Sequence, residues 1–145
     1  MTGLYVLIGV VVAAAAFGVY RRRTDGRVAP ATPASPAAPE RLLTAETLGR
    51  PLGEQATLVQ FSSAFCSPCR ATRRILTDIA ATVPGVEFIE VDAEEHLDLV
   101  RAVGVTRTPT VFLLDAEGDA RNRVVGQPRK DDVLAALAPV GATPN

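Results

Sequence analysis

An uncharged apolar run near the N-terminus constrains this chain more than any other feature. Residues 2–20 contain no charged side chain, and residues 4–20 are almost entirely hydrocarbon. At a rise of about 1.5 Å per residue, such a helix just spans the roughly 30 Å hydrocarbon core of a bilayer. Tyr5 and Tyr20 lie near the ends of the run, where aromatic rings prefer the membrane interface. The run therefore predicts a single transmembrane helix, with residues 4–20 in contact with the membrane.

A cleaved secretory signal is the alternative interpretation of this run. A signal has basic residues before its apolar segment and a small-residue cleavage site directly after it. Here the order is reversed, because Arg21, Arg22 and Arg23 follow the run. We therefore interpret residues 1–23 as a retained membrane anchor with an arginine cluster. Since positive residues near a span stay on the cytoplasmic side, we expect a single-pass protein whose C-terminal part faces the cytoplasm.

A proline-rich segment separates this anchor from the rest of the chain. Residues 24–40 place prolines at positions 30, 33, 36 and 39, which matches the three-residue period of polyproline II. The segment contains nothing able to build a core, so we predict a semi-stiff Pro/Ala-rich linker. At about 3.1 Å per residue it could hold a domain up to roughly 50 Å from the membrane. This composition is compatible with a spacer that sets how far the domain reaches from the membrane and also with a simple connector.

Charge and cysteine content exclude several functions for the remainder of the chain. Residues 40–145 contain 11 basic and 15 acidic side chains. An acidic segment of this size has no basic stripe for a phosphate backbone, so no nucleic acid is expected as a partner. The chain contains 2 cysteines, which is too few for a disulfide scaffold or a four-cysteine zinc site.

Residues 41–140 show the pattern of one α/β domain, and we expect residues 141–145 to be a disordered tail. The strand-type runs are Thr57–Ser62, Val86–Val91, Thr110–Leu114 and Arg121–Val125. The helical patterns cover residues 44–49, 68–83, 94–103 and 130–138. Strands and helices alternate and then give way to a hairpin with its turn at residues 115–118. That order predicts a mixed sheet with helices on both faces.

A Cys-x-x-Cys motif carries the chemistry of this domain. Cys66-Ser67-Pro68-Cys69 follows a strand and opens an amphipathic helix. Zinc would need two further ligands, and the chain offers only His96, which we place on the surface, besides carboxylates. The free N–H groups and the positive end of the helix dipole favour a thiolate at the first cysteine, while the second lies one turn inside. Such a pair can attack a substrate disulfide and then resolve the mixed disulfide.

With this motif in place, the sequence resembles the thioredoxin family over roughly residues 41–140. Four features match in order: the strand and active-site loop FSSAFCSPC, a Thr-Pro pair at Thr108-Pro109 before a buried strand, Gly118 in the hairpin turn, and Gly126 before the last helix. The resemblance implies a thioredoxin-like fold. It also implies that Pro109 is the family's cis-proline, packed beside the dithiol, and that the backbone of Thr108 pairs with the substrate chain.

Together with the apolar run at residues 4–20, the resemblance implies a membrane-tethered thiol–disulfide oxidoreductase that reduces protein disulfides. Cys66 would be the nucleophile and Cys69 the resolving thiol, with no cofactor beyond their own redox-active disulfide. Disulfide-containing client proteins and an electron donor such as a thioredoxin reductase would be the partners. The residues that would support substrate binding are Phe65, Ser67, Pro68, Thr108 and Pro109.

Five positions depart from the family's pattern. Phe65 replaces a tryptophan and Ser67 replaces a glycine within the motif, while Arg74 replaces a proline, so no helix kink is expected. Gln60 stands where the family has a buried carboxylate, and Phe88 stands at the position of its lysine partner. Both partners of this buried ion pair are replaced together, which is expected because either charge alone would be costly to bury. The change removes the internal base that would deprotonate Cys69.

Two alternatives to an oxidoreductase remain open from the sequence. A soft ion such as copper(I) could be held between the two thiolates, although no Met- or His-rich tract supports a metal-handling module. The domain could also be a non-catalytic thioredoxin-like interaction domain, which the intact Cys-x-x-Cys motif argues against.

Overall fold

The computed structural model describes residues 2–24, 26–30 and 42–142. Most of the predicted linker, residues 31–40, and the last three residues of the predicted tail therefore lie outside the described ranges. The strands are β1 (Val28–Pro30), β2 (Ala56–Ser62), β3 (Val86–Asp92), β4 (Thr110–Asp115) and β5 (Ala120–Val125). The helices are α1 (Thr2–Thr24), α2 (Ala45–Leu48), α3 (Ser67–Thr82), α4 (Leu97–Ala102) and α5 (Lys130–Leu137), with a 3₁₀ turn at Ala138–Val140.

The strands form one mixed sheet in the order β1-β5-β4-β2-β3. β2 and β3 are parallel, and the other neighbouring pairs are antiparallel. α3 and α5 pack on one face around Leu58, Leu76 and Leu137. α2 and α4 lie over the other face, where Phe61 and Phe112 meet edge to face with ring centroids 5.8 Å apart. The predicted mixed sheet with helices on both faces is confirmed.

Capping residues explain where two of the helices begin and end. Thr44 accepts the N–H of Thr47 at the start of α2, and Gly49 ends that helix in the left-handed conformation, at φ 65°. α4 begins at Leu97 and is shorter than the predicted helix over 94–103. Asp92 accounts for the difference, because its side chain accepts the N–H of Glu94 and its carbonyl accepts the N–H of His96, which forms a turn in place of the first helical turn.

A tight turn joins β4 to β5 where the sequence predicts the hairpin. The buried carboxylate of Asp115 accepts the backbone N–H groups of Glu117 and Asp119 and the side chain of Arg121. Burial acts to raise the pKa of Asp115, but these donors outweigh it and hold the pKa below its usual value. The turn is therefore stabilised by a charged acceptor at neutral pH.

The structure corrects the prediction for the start of the linker. Val28–Pro30, which the sequence assigns to a free spacer, forms the edge strand β1 and pairs with β5. Gly26 extends this pairing, since its N–H donates to Val125 O at 2.9 Å. Proline is tolerated at an edge strand because its missing N–H costs no hydrogen bond there. The chain thus joins the sheet almost at once after α1.

The predicted disordered tail is corrected at its start. Ala142 is fully buried against the α3 and α5 face, and its N–H donates to Leu137 O. Gly141 makes this return possible, because its φ of 84° lies in the left-handed region that glycine adopts without strain. The ordered domain therefore reaches residue 142.

α1 is the one helix of the described residues that is long and apolar enough to cross a membrane. Its apolar stretch covers Gly3–Arg21, and none of it is buried within the protein. A soluble protein rarely leaves so large an apolar surface uncovered. Length and composition alone fit a membrane span and a signal sequence equally.

Candidate functional site

The register of the sheet brings the predicted site residues to one edge. Phe61 near the end of β2 pairs with Thr110 at the start of β4, and Thr110 pairs with Val125 at the end of β5. The loop after β2, the loop before β4 and the loop after β5 therefore leave the sheet at the same edge. We call this edge, with residues 63–66, 107–109 and 126–129, the dithiol edge.

Cys66 and Cys69 form a disulfide at the start of α3, with their Cα atoms 5.2 Å apart. Cys66 is the N-cap of the helix, and its Sγ accepts the N–H of Cys69 at 3.1 Å. Cys66 is partly exposed, whereas Cys69 is only 2% exposed. The first sulfur is therefore accessible from outside the protein, and the second is not.

The local sequence explains why the helix begins at this position. Ser67 and Pro68 occupy the first turn of α3, where the missing N–H of proline costs nothing and its fixed φ suits the helix. The remaining N–H groups of that turn point toward the N-cap. Together with the helix dipole, they favour negative charge on Cys66 once the disulfide is reduced.

The loop before β4 is fixed beside the disulfide by hydrogen bonds on two sides. Its Thr108–Pro109 peptide bond is cis. The hydroxyl of Thr108 lies 3.0 Å from that of Ser63 in the loop after β2. On the other side, Pro109 O accepts the N–H of Gly126 at 2.8 Å. The three loops of the dithiol edge are thus joined into one surface.

A cavity of about 670 Å³ opens on this surface. Three of the predicted support residues line it, namely Pro68, Thr108 and Pro109, together with Arg107 and the loop over residues 126–129. None of these described lining residues is acidic. Pro68 lies between the two cysteines in the chain, so the cavity adjoins the Cys66–Cys69 segment.

The other two support residues are exposed outside this cavity. Phe65 is 97% exposed, the highest value among the large apolar side chains of the described residues. Ser67 is exposed at the first position of α3, and its hydroxyl lies 3.5 Å from the guanidinium of Arg70. An uncovered phenyl ring next to Cys66 offers an apolar contact to whatever approaches the disulfide.

Gln60 lies fully buried behind the dithiol. Its Nε2 donates to Cys69 O at 3.1 Å. Among the described residues, its Oε1 has no hydrogen-bond partner, and neither has Oγ1 of Thr72 in α3. An unpaired buried acceptor costs about 1–3 kcal/mol. The side chain therefore supports the backbone of the second cysteine but leaves one polar atom unsatisfied.

The strand register shows which residue of β3 lies opposite Gln60. Phe88 pairs with Leu58, and the residue in register with Gln60 is Glu90. Glu90 forms a two-point ion pair with Arg73 of α3, with Nε–Oε2 and Nη2–Oε1 distances of 2.8 Å. The sequence analysis missed both residues, because the register between β2 and β3 cannot be read from the pattern of either strand alone.

Two further residues singled out in the sequence lie apart from the chemistry. His96 is exposed at the start of α4, with its Nδ1 3.0 Å from Asp92 O. Arg74 is exposed on α3, which continues through that position to Thr82. Neither side chain is among the residues that line the cavity of the dithiol edge.

Comparisons with known proteins agree with this geometry. The thioredoxin family model matches residues 43–139. A thioredoxin H-type from Oryza sativa subsp. indica is 32% identical over 90 residues, covering 61% of this chain and 72% of the relative. A thioredoxin H-type from Picea mariana is 33% identical over 88 residues, covering 59% of this chain and 69% of that protein.

Solved structures show the same relationship. The crystal structure of a thioredoxin from Nicotiana alata is 28% identical, with a TM-score of 0.53 over 59% of this chain and 73% of that chain. The thioredoxin of Fasciola hepatica, at 24% identity, shares the fold with a TM-score of 0.56 over 68% of this chain and 95% of its own. The chain therefore belongs to the thioredoxin family, and its Cys66–Cys69 pair is that of a thioredoxin-type thiol–disulfide oxidoreductase.

Proposed function

We propose that this protein is a membrane-anchored reductase of protein disulfides, with Cys66 as the nucleophile and Cys69 as the resolving thiol. One observation carries the assignment: the Sγ of Cys66 caps α3 and accepts the N–H of Cys69, while Cys69 itself is buried. Hydrogen-bond donors at a helix N-terminus favour the thiolate of the accessible sulfur. The buried Sγ of Cys69 can react only with the Sγ of Cys66.

The reaction balances with the two cysteines alone. The thiolate of Cys66 attacks one sulfur of the client disulfide, which breaks that bond, forms a mixed disulfide and releases the first client thiol. Cys69 then loses its proton and attacks the Sγ of Cys66, which releases the second client thiol and leaves the Cys66–Cys69 disulfide. Two electrons pass to the client. An external dithiol donor, such as a thioredoxin reductase, returns the pair to its reduced form.

The dithiol edge supplies the surface that holds the client during both steps. We assign client contact to the backbone of Thr108 and to Pro109, because both lie in a loop that hydrogen bonds fix on either side. Pro68 lines the same cavity. Phe65 and Ser67 add an apolar and a polar contact beside the nucleophile. Fixing this surface in advance lowers the entropy lost when the client aligns its disulfide.

Turnover and trapping experiments test the roles of the two cysteines. With the full chain and a folded client protein carrying one exposed disulfide, Cys66→Ser should reduce the rate to the uncatalysed background. Cys69→Ser should also stop turnover but should accumulate a covalent mixed disulfide between Cys66 and the client. Full turnover by Cys66→Ser, or no adduct with Cys69→Ser, would contradict the assignment.

Alkylation against pH tests the electrostatic argument for Cys66. In Cys69→Ser, the alkylation rate of Cys66 should reach half its maximum well below pH 8.5, roughly the value for a free cysteine. Cys66→Ser is the matched control, and its remaining buried thiol should react slowly and at higher pH. A midpoint for Cys66 at or above that of free cysteine would remove the argument from the helix terminus.

Gln60 predicts how the second step depends on pH. Glutamine cannot accept a proton at neutral pH, so the resolution rate should rise with pH until the thiol of Cys69 is ionised by solvent alone. Gln60→Asp would place a carboxylate in a fully buried position, and burial disfavours its charged form, which makes such a group a better proton acceptor. It should speed resolution near pH 7 by about tenfold or more.

The control for this experiment is Gln60→Asn, because asparagine has the same size as aspartate but no ionisable group. Both variants lose the hydrogen bond to Cys69 O, so each should lower the free energy of unfolding by about 1–3 kcal/mol. The measurement is stopped-flow decay of the mixed disulfide from pH 6 to 9. Identical profiles for the Asp and Asn variants would show that position 60 does not reach the proton of Cys69.

The membrane anchor and its orientation are part of the proposal. The uncovered apolar surface of α1 and the arginines that follow it support a retained span with the domain in the cytoplasm. In intact bacterial cells, Cys69→Ser should fractionate with membranes at full length. Its Cys66 should escape a membrane-impermeant maleimide until the cells are lysed. Labelling before lysis would place the domain outside, and loss of residues 1–23 would show a cleaved signal.

A further inference from the structure

We propose that the dithiol edge faces the membrane, so that the clients are membrane proteins whose disulfides lie close to the bilayer surface. This inference rests on the anchor and the reductase activity proposed above. It goes beyond them because it assigns an orientation to the domain and a class of client. The support comes from where the chain leaves α1 and joins the sheet.

The connection between anchor and sheet is too short to act as a spacer. α1 ends at Thr24, and Gly26 already donates its N–H to Val125 O at 2.9 Å. Consecutive Cα atoms are about 3.8 Å apart, so Thr24 and Gly26 are separated by at most about 7.6 Å. The proline-rich residues 31–40 follow β1 in the chain and do not separate the membrane from the domain. The sheet is therefore held close to the end of the membrane helix.

The chain joins the sheet at the edge that carries the disulfide. Val28 at the start of β1 pairs with Val124 near the end of β5, and β5 leads directly into the loop over residues 126–129. Gly26 packs on that loop so closely that an added Cβ would lie 2.0 Å from Gln127 O. The far end of β1, at Pro30, points to the opposite edge. The anchor thus approaches the dithiol edge.

The disulfide lies a short distance along this edge from the anchor. In the order β1-β5-β4-β2, three strand spacings separate the chain at Gly26 from the loop that carries Cys66. At about 4.8 Å per spacing, this lateral distance is about 14 Å. A client disulfide that meets Cys66 therefore lies at most roughly 22 Å from the end of α1 when the connecting residue is fully extended.

Basic side chains lie along the part of the edge nearest the anchor. Arg107 and Arg129 line the cavity between the anchor and the disulfide, and Arg27 is exposed where the chain joins the sheet. Anionic headgroups attract such basic side chains even though the domain as a whole carries more acids than bases. The exposed acids Glu94 and Glu95 follow β3, which is the strand farthest from β1. Asp131 and Asp132 in the first turn of α5 follow closely on Arg129, so the position of the anchor, and not net charge, carries the orientation.

Two insertion variants of equal length distinguish a fixed orientation of the domain at the membrane from tethering alone. A twelve-residue Gly/Ser segment placed between Thr24 and Asp25 lengthens the connection by about 20 Å and lets the domain turn. The same segment placed between Ala34 and Ser35 leaves the join between α1 and β1 intact and serves as the matched control. Both variants keep every residue of the dithiol edge.

The reaction is followed in liposomes of phosphatidylcholine and phosphatidylglycerol that contain the full-length, chemically reduced protein. The clients are two single-span peptides, one with a disulfide at the bilayer surface and one with the same disulfide about 50 Å away on a rigid spacer. The wild type and the Ala34 insertion should reduce the surface disulfide at least about tenfold faster than the distant one. The Thr24 insertion should bring the two rates to within about threefold.

A second readout does not depend on catalysis. In Cys69→Ser, a fluorophore on Cys66 should be quenched by spin-labelled lipid headgroups, and the Thr24 insertion should relieve that quenching. Equal rates for the two clients with the wild type, or no quenching of the label, would overturn the membrane-facing orientation while leaving the reductase intact. If the wild type reduced neither client, the proposed activity would fail, and the quenching would still decide the orientation.

Discussion

The direction and register of the strands are the constraint on which the rest of this structure depends. Because β4 is antiparallel to β2 and β5 is antiparallel to β4, the end of β2, the start of β4 and the end of β5 share one edge. Two contacts then lock the loops at that edge, from Ser63 to Thr108 and from Gly126 to Pro109. The same register sets the direction of β1, so it also decides where the chain arrives from α1. One arrangement of hydrogen bonds thus places the sulfurs, the nearby cavity and the connection to α1 together.

Cys66 links this framework to the disulfide because it caps a helix and carries the more accessible sulfur. The N–H groups at the start of α3 need an acceptor, and the sulfur supplies one for Cys69 N. Behind the pair, the structure uses a neutral amide where a charge would be costly. Gln60 holds Cys69 O, and the charged groups nearby, Glu90 and Arg73, neutralise each other in a two-point ion pair. The dithiol is supported without a buried unpaired charge.

Most of this arrangement could be predicted from the sequence, because its elements carry strong local patterns. β2 and β4 are unbroken apolar runs, α3 has helical spacing with a proline in its first turn, and the turn residues of the hairpin are explicit. The placement of Pro109 beside the disulfide came from family resemblance and not from periodicity. The cis geometry of Pro109 likewise follows from the resemblance and not from a local pattern, and the structure shows it.

The remaining features depend on contacts that local patterns do not contain. β1 is three residues long and pairs with a strand almost a hundred residues away, so neither its length nor its composition marks it as a strand. The start of α4 is set by a side-chain turn at Asp92 that competes with the helix. The importance of Glu90 follows only from the register between β2 and β3. These features also change the functional interpretation, because β1 joins the sheet directly after α1, where the sequence predicts a spacer.

The direction of electron flow is tested most directly by the reduction potential of the Cys66–Cys69 couple in the full-length protein. It can be measured by equilibrating the protein with dithiol redox buffers and quantifying the fraction oxidised. A reductase of protein disulfides requires a low potential, near the value of about −270 mV that is typical of thioredoxin. A value near −120 mV, typical of a strong oxidant, would show that the pair donates disulfides to its clients and would contradict the proposed function.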